Sequence, residues 1–154
     1  MCGMVSIALQ RFQRLKINKN ERNKLLKEMA MADVLAAHGF RIHLVEEDTR
    51  LVSYDALING IPADFKRTSS HNNIKKYAKR ATQKQQAIII VFQLDAETHL
   101  IHWELEKLSR KGFHILYYFT KDPKQVYSLK IGQPCHSRAE QVVRLQATCA
   151  RRHP

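Results

Sequence analysis

The chain has 154 residues, 44% hydrophobic and 26% charged, enough for one domain with a true core. Lysine and arginine outnumber aspartate and glutamate 26 to 14, and the net charge of +12 favours a polyanionic partner over mere solubilisation. Cys2, Cys135 and Cys149 are too scattered for a disulfide framework or a cysteine-based zinc site, and no apolar run is long enough to span a membrane.

Residues 1–19 read as a leader of mixed basic and apolar residues. The start MCGMVSIAL is short and lacks the basic segment of a signal peptide, so export would need another route. Asn20 caps a predicted helix running to about His38, stopped by Gly39, with Leu25, Leu26, Met29, Ala32, Leu35 and Ala36 as its apolar stripe. Phe40–Val45 reads as a strand, and Leu51–Ile58 and Ile61–Lys66 as a hairpin around Asn59-Gly60, the dipeptide favoured in a type I′ turn. Thr68–Asn73 is loop-like. Ile74, Tyr77, Ala78 and Ala81 then recur at helical spacing through about Gln85. Ala87–Phe92 is a continuous apolar run, the pattern of a strand buried on both faces. Leu100, Ile101, Leu105 and Leu108 mark a helix before Gly112, Phe113–Phe119 a strand, and Gln125–Leu129 a short last strand. The order αβββαβαβ predicts a mixed central sheet with helices on both sides. After Lys130 the basic stretch carries Val142, Leu145 and Cys149 at helical spacing, either a loose helix or a tail without order.

The hairpin register supplies the first chemical candidate. With Asn59 and Gly60 as the loop, Ile58 faces Ile61, Ala56 faces Ala63 and Asp55 faces Asp64. Like charges opposite one another destabilise a sheet unless a cation offsets them. Lys66 joins the face of Asp64, because side chains at i and i+2 point the same way. Glu28 shares the apolar helix face of Leu25, Ala32 and Leu35, where a carboxylate is costly unless paired or metal-bound. Three carboxylates suit magnesium or manganese, hard ions that favour oxygen ligands. Asp55 and Asp64 are read as direct ligands, Glu28 as direct or water-mediated, and Lys66 as the group that orients the nucleophile or stabilises phosphate charge. Gln85, or Gln86 if the helix ends one residue later, is polar on an inward stripe. It either contacts the site or satisfies helix-end carbonyls. Lys75, Lys76, Lys79, Arg80 and Lys84 flank that stripe and form either a phosphate-backbone groove or a solvated helix face. His99 and His102 lack a third ligand, Ser69-Ser70-His71 is no triad, and Trp103, Tyr117 and Tyr118 read as packing residues.

A helical Glu, then an Asp, then Asp-x-Lys after a hairpin resembles the PD-(D/E)xK nuclease superfamily. Closer still is the C-terminal toxin nuclease domain of contact-dependent growth inhibition proteins of the CdiA type, with its relatives in phage and mobile elements. The stretch EMAMADVLAAHGFRI is similar to that group's E-x-x-x-A-x-x-L-A-x-x-G-F pattern, through Glu28, Ala32, Leu35, Ala36, Gly39 and Phe40. Asp55 then fills the first-Asp position, and Asp64-Phe65-Lys66 the D/E-x-K position. The resemblance covers about residues 20–130 and implies a restriction-endonuclease-like αβββαβ core; residues 1–19, read as a leader or helical extension, and the basic tail 131–154 fall outside it. It implies an endonuclease dependent on magnesium or manganese, zinc being less favoured. Its substrate would be transfer RNA, as for several members, or DNA, as for others. It further implies action in the cytoplasm of a target cell and a cognate immunity protein. Two alternatives remain beside a tRNA-cleaving toxin: a DNA endonuclease of repair, restriction or junction resolution, and a nucleic-acid-binding module without catalysis.

Overall fold

The computed structural model describes residues 3–11, 18–46 and 53–129. Among these, seven strands form one sheet in chain order: β1 (Met4–Ile7), β2 (Arg41–Leu44), β3 (Ala56–Ile58), β4 (Ile61–Thr68), β5 (Ile89–Leu94), β6 (His114–Phe119) and β7 (Asp122–Leu129). The helices α1 (Lys19–Ala37), α2 (His71–Gln83) and α3 (His99–Arg110) lie between them in the chain. The β1–β2, β4–β5 and β5–β6 pairs are parallel, and the β2–β3, β3–β4 and β6–β7 pairs antiparallel. This is the expected mixed α/β sheet flanked by helices, of restriction-endonuclease-like architecture.

Alternation along the strands divides the core between the two faces. On one, Leu25, Met31, Ala32 and Leu35 of α1 pack with Ile42, Leu44, Ala56, Ile58, Ala63 and Phe65. On the other, Ile74, Ala78 and Ala81 of α2 and Ile101, Leu105 and Leu108 of α3 pack with Ile90, Phe92 and Leu94. Strand β5 is covered on both faces, as its uninterrupted apolar run requires.

Several elements depart from the sequence reading. The first residues are not a leader apart from the domain: Met4–Ile7 pairs with β2, with Val5 and Ile7 packed against the core. A Cβ at Gly3 would collide with the Ala36 carbonyl, so the strand enters the sheet hard against the end of α1. Helix α1 is capped by Asn18 rather than Asn20; the Asn18 side chain accepts from Asn20 N at 2.9 Å. Its buried face takes Met31, while Leu26 is turned to solvent at 56% exposure. Strand β3 starts at Ala56, with Ser53 and Tyr54 outside it, and Leu51 lies outside the described residues. Helix α2 ends at Gln83 and β7 begins at Asp122. Trp103 is 53% exposed instead of packed, whereas Tyr117 and Tyr118 are buried as expected. The C-terminal residues 131–154, read as a helix or a tail, lie outside the described residues.

Candidate active site

The β3–β4 hairpin closes on Asn59 and Gly60, both at positive φ (49° and 84°), the signature of a type I′ turn. The register is the expected one: Ile58 faces Ile61, Leu57 faces Pro62 and Ala56 faces Ala63. Beyond Ala56 the ladder changes. Asp55 is not a ladder partner of Asp64; its backbone N donates to Ala63 O at 3.0 Å, so Asp55 and Ala56 both address Ala63. Asp55 O accepts from Val45 N at 3.1 Å, and its Oδ2 accepts from Phe65 N at 2.9 Å. A side-chain oxygen thus stands where a strand carbonyl would. Strand β4 continues along β5 from Asp64 to Thr68 with no partner from β3, and the two strands of the hairpin form a fork.

Asp64 and Lys66 occupy this fork. They share the β4 face opposite Ala63 and Phe65, and Asp64 is 0% exposed. Lys66 Nζ lies 2.6 Å from Asp64 Oδ2 and donates to Gln85 Oε1 at 3.2 Å. Gln85 can reach back because α2 has ended and Gln86 (φ 55°) turns the chain toward β5. Of the two glutamines it is Gln85 that meets the site, while Gln86 is exposed. Despite the close lysine, neither Asp64 oxygen accepts a well-directed hydrogen bond. Burial raises the Asp64 pKa to about 8; a contact with Asp55 and that group's charge add to the rise, and Lys66 opposes it.

Glu28 lies on the buried face of α1. Its Oε2 is 2.6 Å from Arg11 Nη1, an ion pair without a well-directed hydrogen bond, and Lys24 Nζ is 3.8 Å from Oε1. Burial raises the Glu28 pKa; Arg11 opposes this, and the charge of Asp55 adds to it. Asp55 therefore lies within electrostatic reach of both other carboxylates. Among the described residues, however, no three His, Cys, Asp or Glu side chains close around one point as a metal site would. The structure brings Asp55, Asp64, Lys66 and Gln85 together and holds Glu28 to one side on Arg11. The paired aspartates, with unsatisfied Asp64 oxygens, still fit a hard divalent ion, since magnesium binds through one or two carboxylates and keeps several waters.

Arg11 is not legible as a site residue in the sequence, because its pairing with Glu28 is made by the fold and not by any local spacing. Its one signal is a cation in the otherwise apolar neighbourhood of Val5 and Ile7. Lys75, Lys76, Lys79, Arg80 and Lys84 are all exposed, and none pairs with a carboxylate among the described residues.

No family model matches the chain, and no curated protein matches it. Its fold is similar to that of a chain in the CdiA-CT/CdiI toxin and immunity complex from Burkholderia pseudomallei. The two are 19% identical, with a TM-score of 0.56, over 73% of this chain and 89% of that one. What they share at this identity is a fold. No helix among the described residues is long and apolar enough to cross a membrane.

Proposed function

We propose that the protein is a metal-dependent endonuclease, a toxin domain that cleaves phosphodiester bonds of RNA, with transfer RNA as its substrate class. One observation carries this reading. Both carboxylate oxygens of the fully buried Asp64 lack a well-directed hydrogen bond, although Lys66 Nζ lies 2.6 Å from Oδ2. Buried polar groups are normally satisfied, and a buried carboxylate that is not, beside a second acid and a lysine, is what a site for an ion, water or substrate leaves.

Asp55 and Asp64 would hold magnesium or manganese, with Glu28 contributing directly or through water. Such an ion, when bound, supplies positive charge at the phosphate oxygens and acidifies water. Lys66, held between Asp64 and Gln85, presents its ammonium to the negative charge that grows on the phosphate as the bond breaks. Gln85 fixes the direction of that ammonium. Lys75, Lys76, Lys79, Arg80 and Lys84 hold the flanking backbone by charge, without reading sequence. The toxin reading, action inside a target cell and a cognate immunity protein draw support from the similar fold in a toxin and immunity complex.

The test is incubation of wild type and Asp64→Ala with total RNA and plasmid DNA in magnesium. Wild type should cut RNA and Asp64→Ala should not, and sequenced RNA ends should fall at fixed sites in transfer RNA. Cutting of plasmid alone would move the assignment to a DNA endonuclease. Equal activity of the two proteins would remove it.

A further inference from the structure

Arg11 is buried, at 6% exposure, and is separated from Glu28 by sixteen intervening residues. Its segment is fastened to β2: Ala8 N donates to Leu44 O at 3.0 Å, and Arg11 N to Ala8 O at 3.1 Å. From there one guanidinium nitrogen serves two partners. Nη1 lies 2.6 Å from Glu28 Oε2 and donates to Val45 O at 3.1 Å. Val45 is also the residue whose N–H holds the Asp55 carbonyl, at 3.1 Å. Arg11 thus grips one carboxylate by its side chain and, through Val45, the backbone of the next.

We propose that Arg11 is a positioning residue of the site, setting Glu28 against Asp55 and fixing the backbone from which Asp55 reaches Asp64. This rests on the nuclease reading above and adds a residue and a chain segment to it. Glu28 is buried and Asp55 half-buried, and their like charges repel; a cation that pairs with Glu28 and also holds the backbone beside Asp55 offsets that repulsion. Arginine suits this role better than lysine, because the planar guanidinium holds its N–H groups in fixed directions whereas an ammonium on a flexible stem rotates. Glu28 Oε2 is committed to Arg11, which leaves Oε1, 3.8 Å from the half-exposed Lys24, as the oxygen free to face the site. The strand and turn that carry Arg11 are then part of the catalytic apparatus.

The experiment compares full-length wild type, Arg11→Lys and the double variant Arg11→Met/Glu28→Met. The readouts are thermal midpoint, Mn2+ affinity by calorimetry, and the kcat and KM of RNA cleavage. Arg11→Lys keeps a charge beside Glu28 and should fold. We expect its Mn2+ affinity and kcat each to fall about tenfold with KM within twofold, the split expected of disturbed geometry rather than weakened substrate binding. The double variant replaces a buried ion pair by apolar groups, an exchange that proteins tolerate, and should fold while binding Mn2+ at least tenfold more weakly. If either folded variant matches wild type in Mn2+ affinity and kcat, Arg11 is only a structural partner and the proposal is overturned, with the nuclease reading intact. If wild type neither binds Mn2+ nor cuts RNA, the nuclease reading fails and takes the positioning role with it.

Discussion

Strand β4 carries two neighbouring cations, and their surroundings could hardly differ more. Arg67 Nε donates to both oxygens of Asp95, at 3.1 and 2.8 Å, and Thr120 Oγ1 donates to the same carboxylate at 2.6 Å. Gln93 Nε2 completes that cluster with a bond to Thr120 at 3.2 Å. The Arg67 hydrogen bond holds the Asp95 pKa below its ordinary value. One residue earlier and on the other face, Lys66 touches an aspartate that is buried, beside a second acid, and pushed up to about 8. Both are lysine- or arginine-to-aspartate contacts. One closes a surface network around strand ends, and the other leaves oxygens unsatisfied inside the protein. A salt bridge by itself says little about role; whether the polar atoms around it are satisfied says much more.

The helices on that side of the sheet repeat the contrast. On α3, Lys107 pairs with Glu104 and Arg110 with Glu106, so the helix balances its own charge. Helix α2 has no acid at all, and its lysines and arginine stay exposed without a carboxylate partner among the described residues.

Substitutions at these cations separate the two kinds of surroundings. The largest effect belongs to Lys66→Met, which should slow RNA cleavage roughly 100- to 1,000-fold, the scale seen when one preorganised charge donor is removed, while circular dichroism stays native. Undiminished cleavage would make Lys66 a mere counter-ion. Next come Lys76→Ala, Arg80→Ala and Lys84→Ala, measured as RNA affinity against salt in an Asp64→Ala background. Removing one phosphate-neutralising cation should flatten the log–log slope by about 1. Lys107→Ala on α3 should leave the slope unchanged, and an equal change there would erase the distinction between the helices. Arg67→Ala should be smallest, within about 1 kcal/mol of wild-type stability as for exposed ion pairs, with cleavage unaltered.

Much of this arrangement is legible in the chain because it is local. Asn59-Gly60 sets the turn, the turn sets the register, and the register puts Asp64 and Lys66 on one face. Gln85 is legible as a polar residue at the end of the α2 stripe, although it meets Lys66 from the turn beyond the helix, and the acid-free run of α2 leaves its cations exposed. What depends on distant contacts is not legible. The ladder breaks at Asp55 because its own carboxylate captures Phe65 N, a competition between side chain and backbone that alternation does not encode. Met4–Ile7 is a strand because β2 is there to receive it; four residues alone give too short an alternation to read. Arg11 finds Glu28 only once β1 and α1 are packed.

If the fork keeps a buried carboxylate for chemistry at the expense of the fold, thermal unfolding of wild type and Asp64→Asn will report that cost. Folding raises the Asp64 pKa from 3.8 to about 8, so the folded state binds this proton more tightly than the unfolded state. The resulting stabilisation is complete below the unfolded value and is lost as pH rises toward 8. Without divalent ions, wild type should therefore lose stability between pH 5 and about 8, and Asp64→Asn should lack that component and melt higher at the alkaline end. Magnesium should raise the wild-type midpoint there and leave Asp64→Asn where it was. Identical pH slopes for the two proteins, with no response of either to magnesium, would contradict the account.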